Sequence, residues 1–242
     1  MRSFEHHDPQ QLLFQFSEIF GARTYLQHGI EVGEGDLVLD AGANVGVAAA
    51  FFATVCGAGT VHSFEPVRPL FELLRANVSS LEACVVHDYG LAAVSGPAEI
   101  TYYPNAAAMS GLYAKPGRDR EQVRGSLRSL GVPEEEVRVR LAGTFEPTTL
   151  SCELRTVSSV IDEHSIPAVD LLKIDVERAE LDVVAGIDAR HWPLIHQVAA
   201  EVHDEAGLAL REILAERGFE VAIDQERAMA ETPIRMLYAT RA

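Results

Sequence analysis

The feature that most constrains this chain is a seven-residue turn, Asp40-Ala-Gly42-Ala-Asn44-Val-Gly46, lying between two apolar runs. The run before it, DLVLD at 36–40, is short and ends in an acid. The run after it, 47–56, is long enough and apolar enough to read as a buried helix. Strand, glycine turn and helix in that order open the first crossover of a parallel α/β sheet. In open sheets of that kind, ligands bind beyond the carboxyl ends of the strands, where the strand order reverses. Glycine in the turn lets the backbone come close to such a ligand. A tight turn with no ligand is the plainer alternative.

The rest of the pattern supports the sheet. Residues 60–64 read as a second strand ending at Glu65-Pro66, 69–77 as an amphipathic helix and 84–88 as a third strand. After 104–149, rich in Gly, Pro and charge, the alternation resumes. Strands fall at 169–175, 195–202, 219–223 and 234–240, with helices at 179–187 and 208–217. Alternating strands and helices imply a parallel sheet covered on both faces. The last two strands have no helix between them, so one runs antiparallel at the edge. The chain reads as a single domain over 1–242, with a helical lead-in at 1–35 and an insertion at 104–149. That insertion carries helical signals near 118–130 and 134–140, and flanking strand signals at 100–103 and 150–156, the latter patterned like a sheet-edge strand.

The turn also discriminates between cofactors. The third glycine of G-x-G-x-x-G, which seats a dinucleotide pyrophosphate at a helix N-terminus, is missing. S-adenosylmethionine (SAM) has no pyrophosphate and carries a sulfonium and an ammonium group, which an acid at Asp40 suits better. Glu65, about 20 residues beyond the turn, is placed to accept hydrogen bonds from ribose hydroxyls. Asp88, ending the third strand, is either an adenine contact or an exposed turn acid.

Charges inside apolar strands carry the chemistry. In LLKIDVERAEL, Lys173, Asp175 and Glu177 alternate and so share one side of a strand end. Charges there are costly unless they are paired or functional; a structural ion pair of Lys173 with a carboxylate is the competing explanation. Glu201 and His203 share a side at the end of the next strand. An imidazole with a pKa near ~6.5 can accept a proton at neutral pH. No persuasive metal set is visible; Asp175 with Glu201 is a conceivable Mg²⁺ pair, but a metal-free site is the expectation.

The formal net charge of −16 repels phosphate backbones and anionic lipid surfaces, so nucleic acid and membrane are poor partners. Arg120, Arg124 and Arg128 nevertheless recur at four-residue spacing. They make either a solvated, ion-paired face or a dock for something anionic or carrier-tethered. Three widely spaced cysteines and a polar N-terminal stretch without an apolar core fit a reducing cytoplasm.

Taken together, VLDAGANVG (38–46), SFEP (63–66), VDLLKIDVERAEL (169–181) and EVH (201–203) resemble the FkbM family of methyltransferases. The resemblance implies a seven-stranded Rossmann-like sheet, order 3-2-1-4-5-7-6 with the last strand antiparallel. It also implies SAM-dependent methyl transfer to oxygen, often in tailoring of polyketides, peptides or sugars. By motif position, Asp40, Gly42, Asn44 and Gly46 surround the amino-acid part of SAM and Glu65 the ribose, while Asp175, Glu177, Glu201 and His203 face the reaction site. His203 is the expected base, with Asp175 or Glu177 orienting the acceptor and Asp175 also near the cofactor. Lys173, Glu201 and Arg178 are expected on the acceptor side. Arg178 stands where the family usually has glycine and adds a charge there. The acceptor is expected to be a hydroxylated small molecule, free or carrier-bound. A nicotinamide-dependent oxidoreductase and a non-catalytic SAM-binding protein are the rivals.

Overall fold

The computed structural model describes residues 4–203, 206–225 and 229–241. Its main sheet is built from β1 (Leu37–Ala41), β2 (Thr60–Phe64), β3 (Cys84–His87), β7 (Leu171–Ile174), β8 (Gln197–Val202), β9 (Glu220–Asp224) and β10 (Arg235–Thr240). The order is β3-β2-β1-β7-β8-β10-β9, which is 3-2-1-4-5-7-6 counted within this sheet. β10 runs antiparallel to both β8 and β9, and the other pairings are parallel.

Strand alternation divides the apolar residues into two cores. Val38, Val61 and Leu171 face α2 (Val47–Phe51) and α3 (Arg68–Val78), together with the lead-in. Leu39, Phe64, Leu172 and Ile174 face α6 (Val157–His164), α7 (Glu180–Ala185) and α8 (Ala206–Glu216). The two-residue period that makes this division also sends Asp40 and Lys173 to the same side as Val38 and Leu171.

The lead-in begins with α1 (Pro9–Phe16), capped by Asp8, whose side chain accepts the Gln10 N–H at 2.8 Å. It continues as a π-helical stretch, Ser17–Ala22. The helix expected over 47–56 is α2 followed by a second π-helical stretch, Phe52–Cys56, ended by Gly57 in the left-handed region.

The strand signals around the insertion correct the expectation. β4 (Tyr89–Leu91), β5 (Gly96–Tyr102) and β6 (Thr148–Arg155) form a separate three-stranded sheet, order β4-β6-β5. β6 is therefore a central strand of a small sheet, not an edge of the main one. Alternation alone reports one solvated face and does not identify the partner. Between β5 and β6 lie α4 (Pro116–Ser129) and α5 (Glu134–Arg140), packed on a small cluster that includes Tyr103, Val137 and Phe145. Arg124 and Arg128 both pair with Glu134, Arg128 at 2.8 Å, as the ion-paired reading of that stripe expects. Among the described residues, no helix is long and apolar enough to cross a membrane.

Candidate active site

A cavity of about 580 Å³ opens at the carboxyl ends of β1, β7 and β8, within the roughly 300–1,000 Å³ typical of small-molecule sites. The lead-in contributes Tyr25 to its wall, the glycine turn Gly42 and Asn44, and the insertion Met109. One side is made largely of backbone and the other of acidic side chains.

On the backbone side, Gly42 has φ +77°, and a Cβ added there would lie 1.7 Å from the Asp175 carbonyl oxygen. No other residue fits that crossing of the β1 and β7 loops. Asn44 also has positive φ, and its Oδ1 accepts the Val45 N–H at 2.8 Å. The Asn44 N–H donates to Glu65 Oε2 at 2.9 Å, and the Val67 N–H to Oε1 at the same distance. Glu65 is thereby fixed at the end of β2 against the turn. Burial pushes its pKa up to about 7 even though both backbone bonds and Lys173 favour the charged form. Gly46, φ +91°, packs against Leu74 of α3 and starts α2 without facing the cavity.

Asp40 and Lys173 are register partners on adjacent strands. Lys173 Nζ lies 2.9 Å from Asp40 Oδ1 and donates to the Gly42 carbonyl at 2.8 Å. Asp40, expected beside the amino-acid part of SAM, is fully buried, faces Lys173 and is absent from the cavity wall. Burial works against the Lys173 charge, but Asp40 and Asp175 outweigh it and raise the pKa. The ion pair foreseen for Lys173 forms and braces the turn from below, and Lys173 also lines the cavity. Asp88 is also off the wall: its exposed carboxylate pairs with Arg68 at 3.3 Å, because β3 ends one residue before it and the chain turns into β4.

On the acidic side, Asp175, Glu177 and Glu201 all line the cavity. Tyr25 donates its hydroxyl to Asp175 Oδ2 at 2.7 Å. Burial pushes the Glu177 and Glu201 pKa values up, with neighbouring Asp175 adding to both. His203 sits behind this wall and is only 2 % exposed. Its Nδ1 lies 2.7 Å from Glu180 Oε1, and its Nε2 lies 3.3 Å from Glu177 Oε2 and 3.5 Å from Glu201 Oε1. Burial alone would lower its pKa, but the surrounding carboxylates override that and raise it well above the ordinary value. Both ring nitrogens therefore face carboxylates, and His203 is not among the residues that line the cavity. The sequence reading takes His203 as the base, and the structure places it behind the carboxylates that border the cavity.

Arg178 is corrected as well. It takes φ +75°, directly after Glu177 at +50°, a left-handed pair in which glycine would be at ease. Its guanidinium leaves the cavity wall and meets Asp119 Oδ1 of α4 at 3.0 Å and the Gln122 side chain. Asp119 is itself held by the Tyr103 hydroxyl and the Lys115 N–H. The charge that replaces the family glycine thus ties the insertion to the β7–α7 loop.

Sequence reasoning missed Tyr25, Asp119 and Glu180. Tyr25 and Asp119 come from segments far from the motifs, and only the fold brings them in. Glu180 carried a signal: it lies three residues after Glu177, on the first turn of α7.

Comparison with known proteins gives the family and supports the fold. The family described as "Methyltransferase FkbM domain" matches residues 40–221. The chain is 37% identical to the 31-O-demethyl-FK506 methyltransferase FkbM of Streptomyces tacrolimicus, over 98% of this chain and 92% of that protein. It is 32% identical to the AMB antimetabolite synthetase AmbE of Pseudomonas aeruginosa, over 94% of this chain but 12% of that much longer protein. The crystal structure of a methyltransferase FkbM from Methylobacillus flagellatus shares the fold, with a TM-score of 0.52 and 15% identity, over 94% of this chain and 54% of that one.

Proposed function

Because the chain belongs to the FkbM methyltransferase family, we propose that it moves the methyl group of SAM to a hydroxyl oxygen of a small molecule, in natural-product tailoring. The observation that carries this reading is the union, in one cavity, of a carboxylate clamped to a glycine turn and a wall of three further carboxylates. Glu65 has each oxygen held by one backbone N–H. A carboxylate oxygen accepts more than one hydrogen bond, so capacity remains for two ribose hydroxyls. Gly42 and Asn44 then border the amino-acid part, and Asp175 with Glu201 faces the sulfonium charge.

SAM supplies the electrophilic methyl, and the protein aligns nucleophile, carbon and sulfur. The acceptor oxygen forms the new O–C bond as the C–S bond breaks, and the bonding pair leaves on sulfur as S-adenosylhomocysteine. The acceptor proton passes to the wall of Asp175, Glu177 and Glu201, whose groups reach the cavity where His203 does not. A free hydroxylated metabolite and a carrier-tethered hydroxyacyl group both suit the site, and the net negative charge disfavours nucleic acid. The soluble, cytoplasmic compartment read from the sequence goes with that proposal.

Calorimetry with SAM and with NAD, followed by a screen for S-adenosylhomocysteine release against hydroxylated metabolites, tests the reading. SAM should bind and NAD should not, and mass spectrometry should place the new methyl on oxygen. NAD binding in place of SAM would overturn the reading. SAM binding without release on any acceptor would favour a non-catalytic role.

A further inference from the structure

Residues beside the reaction wall are arranged as a metal site, although their spacing in the sequence gives no sign of one. Glu177, Glu201 and His203 present ligand atoms that all lie within 4.8 Å of one another. Acidic clusters are common, and this one alone would carry nothing. Its distinguishing member is His203, which is 2 % exposed and whose Nε2 has no hydrogen-bond partner among the described residues. That nitrogen points between Glu177 Oε2, at 3.3 Å, and Glu201 Oε1, at 3.5 Å. Glu177 Oε2 is likewise buried without a hydrogen bond. The opposite ring nitrogen, Nδ1, is fixed at 2.7 Å from Glu180, itself fully buried. A carboxylate behind the imidazole that fixes its tautomer and ring direction is the usual support of a metal-bound histidine.

The distances fit as well. Ligands about 2.1 Å from a four-coordinate ion stand about 3.4 Å from one another along the tetrahedral edge, close to both separations from Nε2. Two carboxylates and one imidazole select a divalent ion of intermediate hardness, such as Mn²⁺ or Zn²⁺, over Mg²⁺ with its preference for oxygen and water.

We infer that Glu177, Glu201 and His203 hold one divalent metal ion whose open position faces the cavity and takes the acceptor hydroxyl. The ion replaces the proton on His203 Nε2, and Glu180 remains the partner of Nδ1. A hydroxyl bound to it is more acidic and is held for attack. The proton it gives up goes to Asp175, which the Tyr25 hydroxyl fixes at 2.7 Å. This deepens the methyl-transfer reading and rests on it for the identity of the ligand at the open position. The ion site itself stands on the geometry of the three residues.

The test is Mn²⁺ binding to chelator-treated, dialysed protein, followed by electron paramagnetic resonance and calorimetry, with Zn²⁺ as competitor. Wild type should bind one ion per chain, displaced by Zn²⁺. Glu201→Gln and Glu177→Gln should each weaken binding at least about tenfold, and His203→Ala should weaken it further. A second histidine cluster, His62, His87 and His164, lies on β2, β3 and α6 away from the cavity. His164→Ala should leave Mn²⁺ binding unchanged. No ion in wild type, equal binding in all three site variants, or loss of the ion in His164→Ala would each overturn the inference. SAM calorimetry on the same samples separates the two readings. SAM bound with no ion leaves methyl transfer standing and removes the metal. An ion bound with no SAM keeps the site and removes methyl transfer.

Discussion

The two sides of the cavity are built by opposite means. The side around Gly42, Asn44 and Glu65 is shaped by backbone: positive φ angles, N–H donors and a crossing too close for a Cβ. The side around Asp175, Glu177 and Glu201 is shaped by side chains that hold one another through Tyr25, His203 and Glu180. A ligand common to a whole family can be met by backbone, which changes little with sequence. An acceptor that differs from enzyme to enzyme has to be met by side chains, which change freely. Lys173 joins the two, reaching under the turn to Asp40 and the Gly42 carbonyl while lying 3.8 Å from Asp175.

Perturbing each side in turn should break or sharpen this contrast. The largest effect is expected from Gly42→Ala. A methyl group 1.7 Å from a backbone oxygen cannot be relieved by a rotamer change, so about 4 kcal/mol of stability or more should go, and SAM binding with it. Denaturant unfolding and calorimetry check this; normal SAM affinity would show that the loop is softer than described. Lys173→Met should cost about 3–5 kcal/mol, because it leaves Asp40 buried and unpaired. Restoring most of that loss in the double variant with Asp40→Asn would assign it to the stranded charge.

Glu65 gives a pH test confined to the backbone side. Its pKa in the folded chain, about 7, lies above the unfolded 4.5. It therefore adds stability below pH 4.5, and that contribution is lost as pH rises through 7. Binding runs the other way, since ribose hydroxyls donate to the ionised form. SAM affinity should rise about tenfold from pH 6 to pH 8, and Glu65→Gln should bind more weakly with a flat profile. A profile unchanged in the variant would refute the ribose assignment.

Arg178→Gly relieves a left-handed arginine but frees α4 from the β7–α7 loop. Acceptor KM should change about three- to tenfold while SAM affinity holds, and limited proteolysis within 116–140 should quicken. Equal changes in both affinities would show that the two sides are not separable there. The smallest effect is expected from Tyr25→Phe, which removes one hydrogen bond to Asp175, about 1 kcal/mol in thermal unfolding.

What could be read from the sequence follows the same division. Strand period, glycine turn and the missing last crossover are local, so the parallel sheet, its antiparallel edge and the position of Glu65 were legible, while the strand order came from the family resemblance. The pairing of Asp40 with Lys173 depends on register between strands more than a hundred residues apart, so Asp40 reads from sequence as a cofactor contact. The small sheet was illegible because β4 spans only Tyr89–Leu91, too short to show a period. His203 was found, but its surroundings were not: Glu177 comes from the β7–α7 loop, Glu180 from α7 and Glu201 from β8, and only the fold brings them together. Asp88 stayed open between two readings and Arg178 was misplaced for a related reason, since sequence reports that a charge sits at a strand end and not which way the chain turns next.

The order of the main sheet also bears on synthesis. Among the described residues β9 has β10 as its sole strand neighbour, and β10 in turn borders β8. As the chain leaves the ribosome, β9 emerges with no edge to join and must wait until 235–240 has followed it. A stop codon just before Arg235 would therefore remove two strands from the sheet instead of one, and would uncover β8, whose Glu201 borders the cavity.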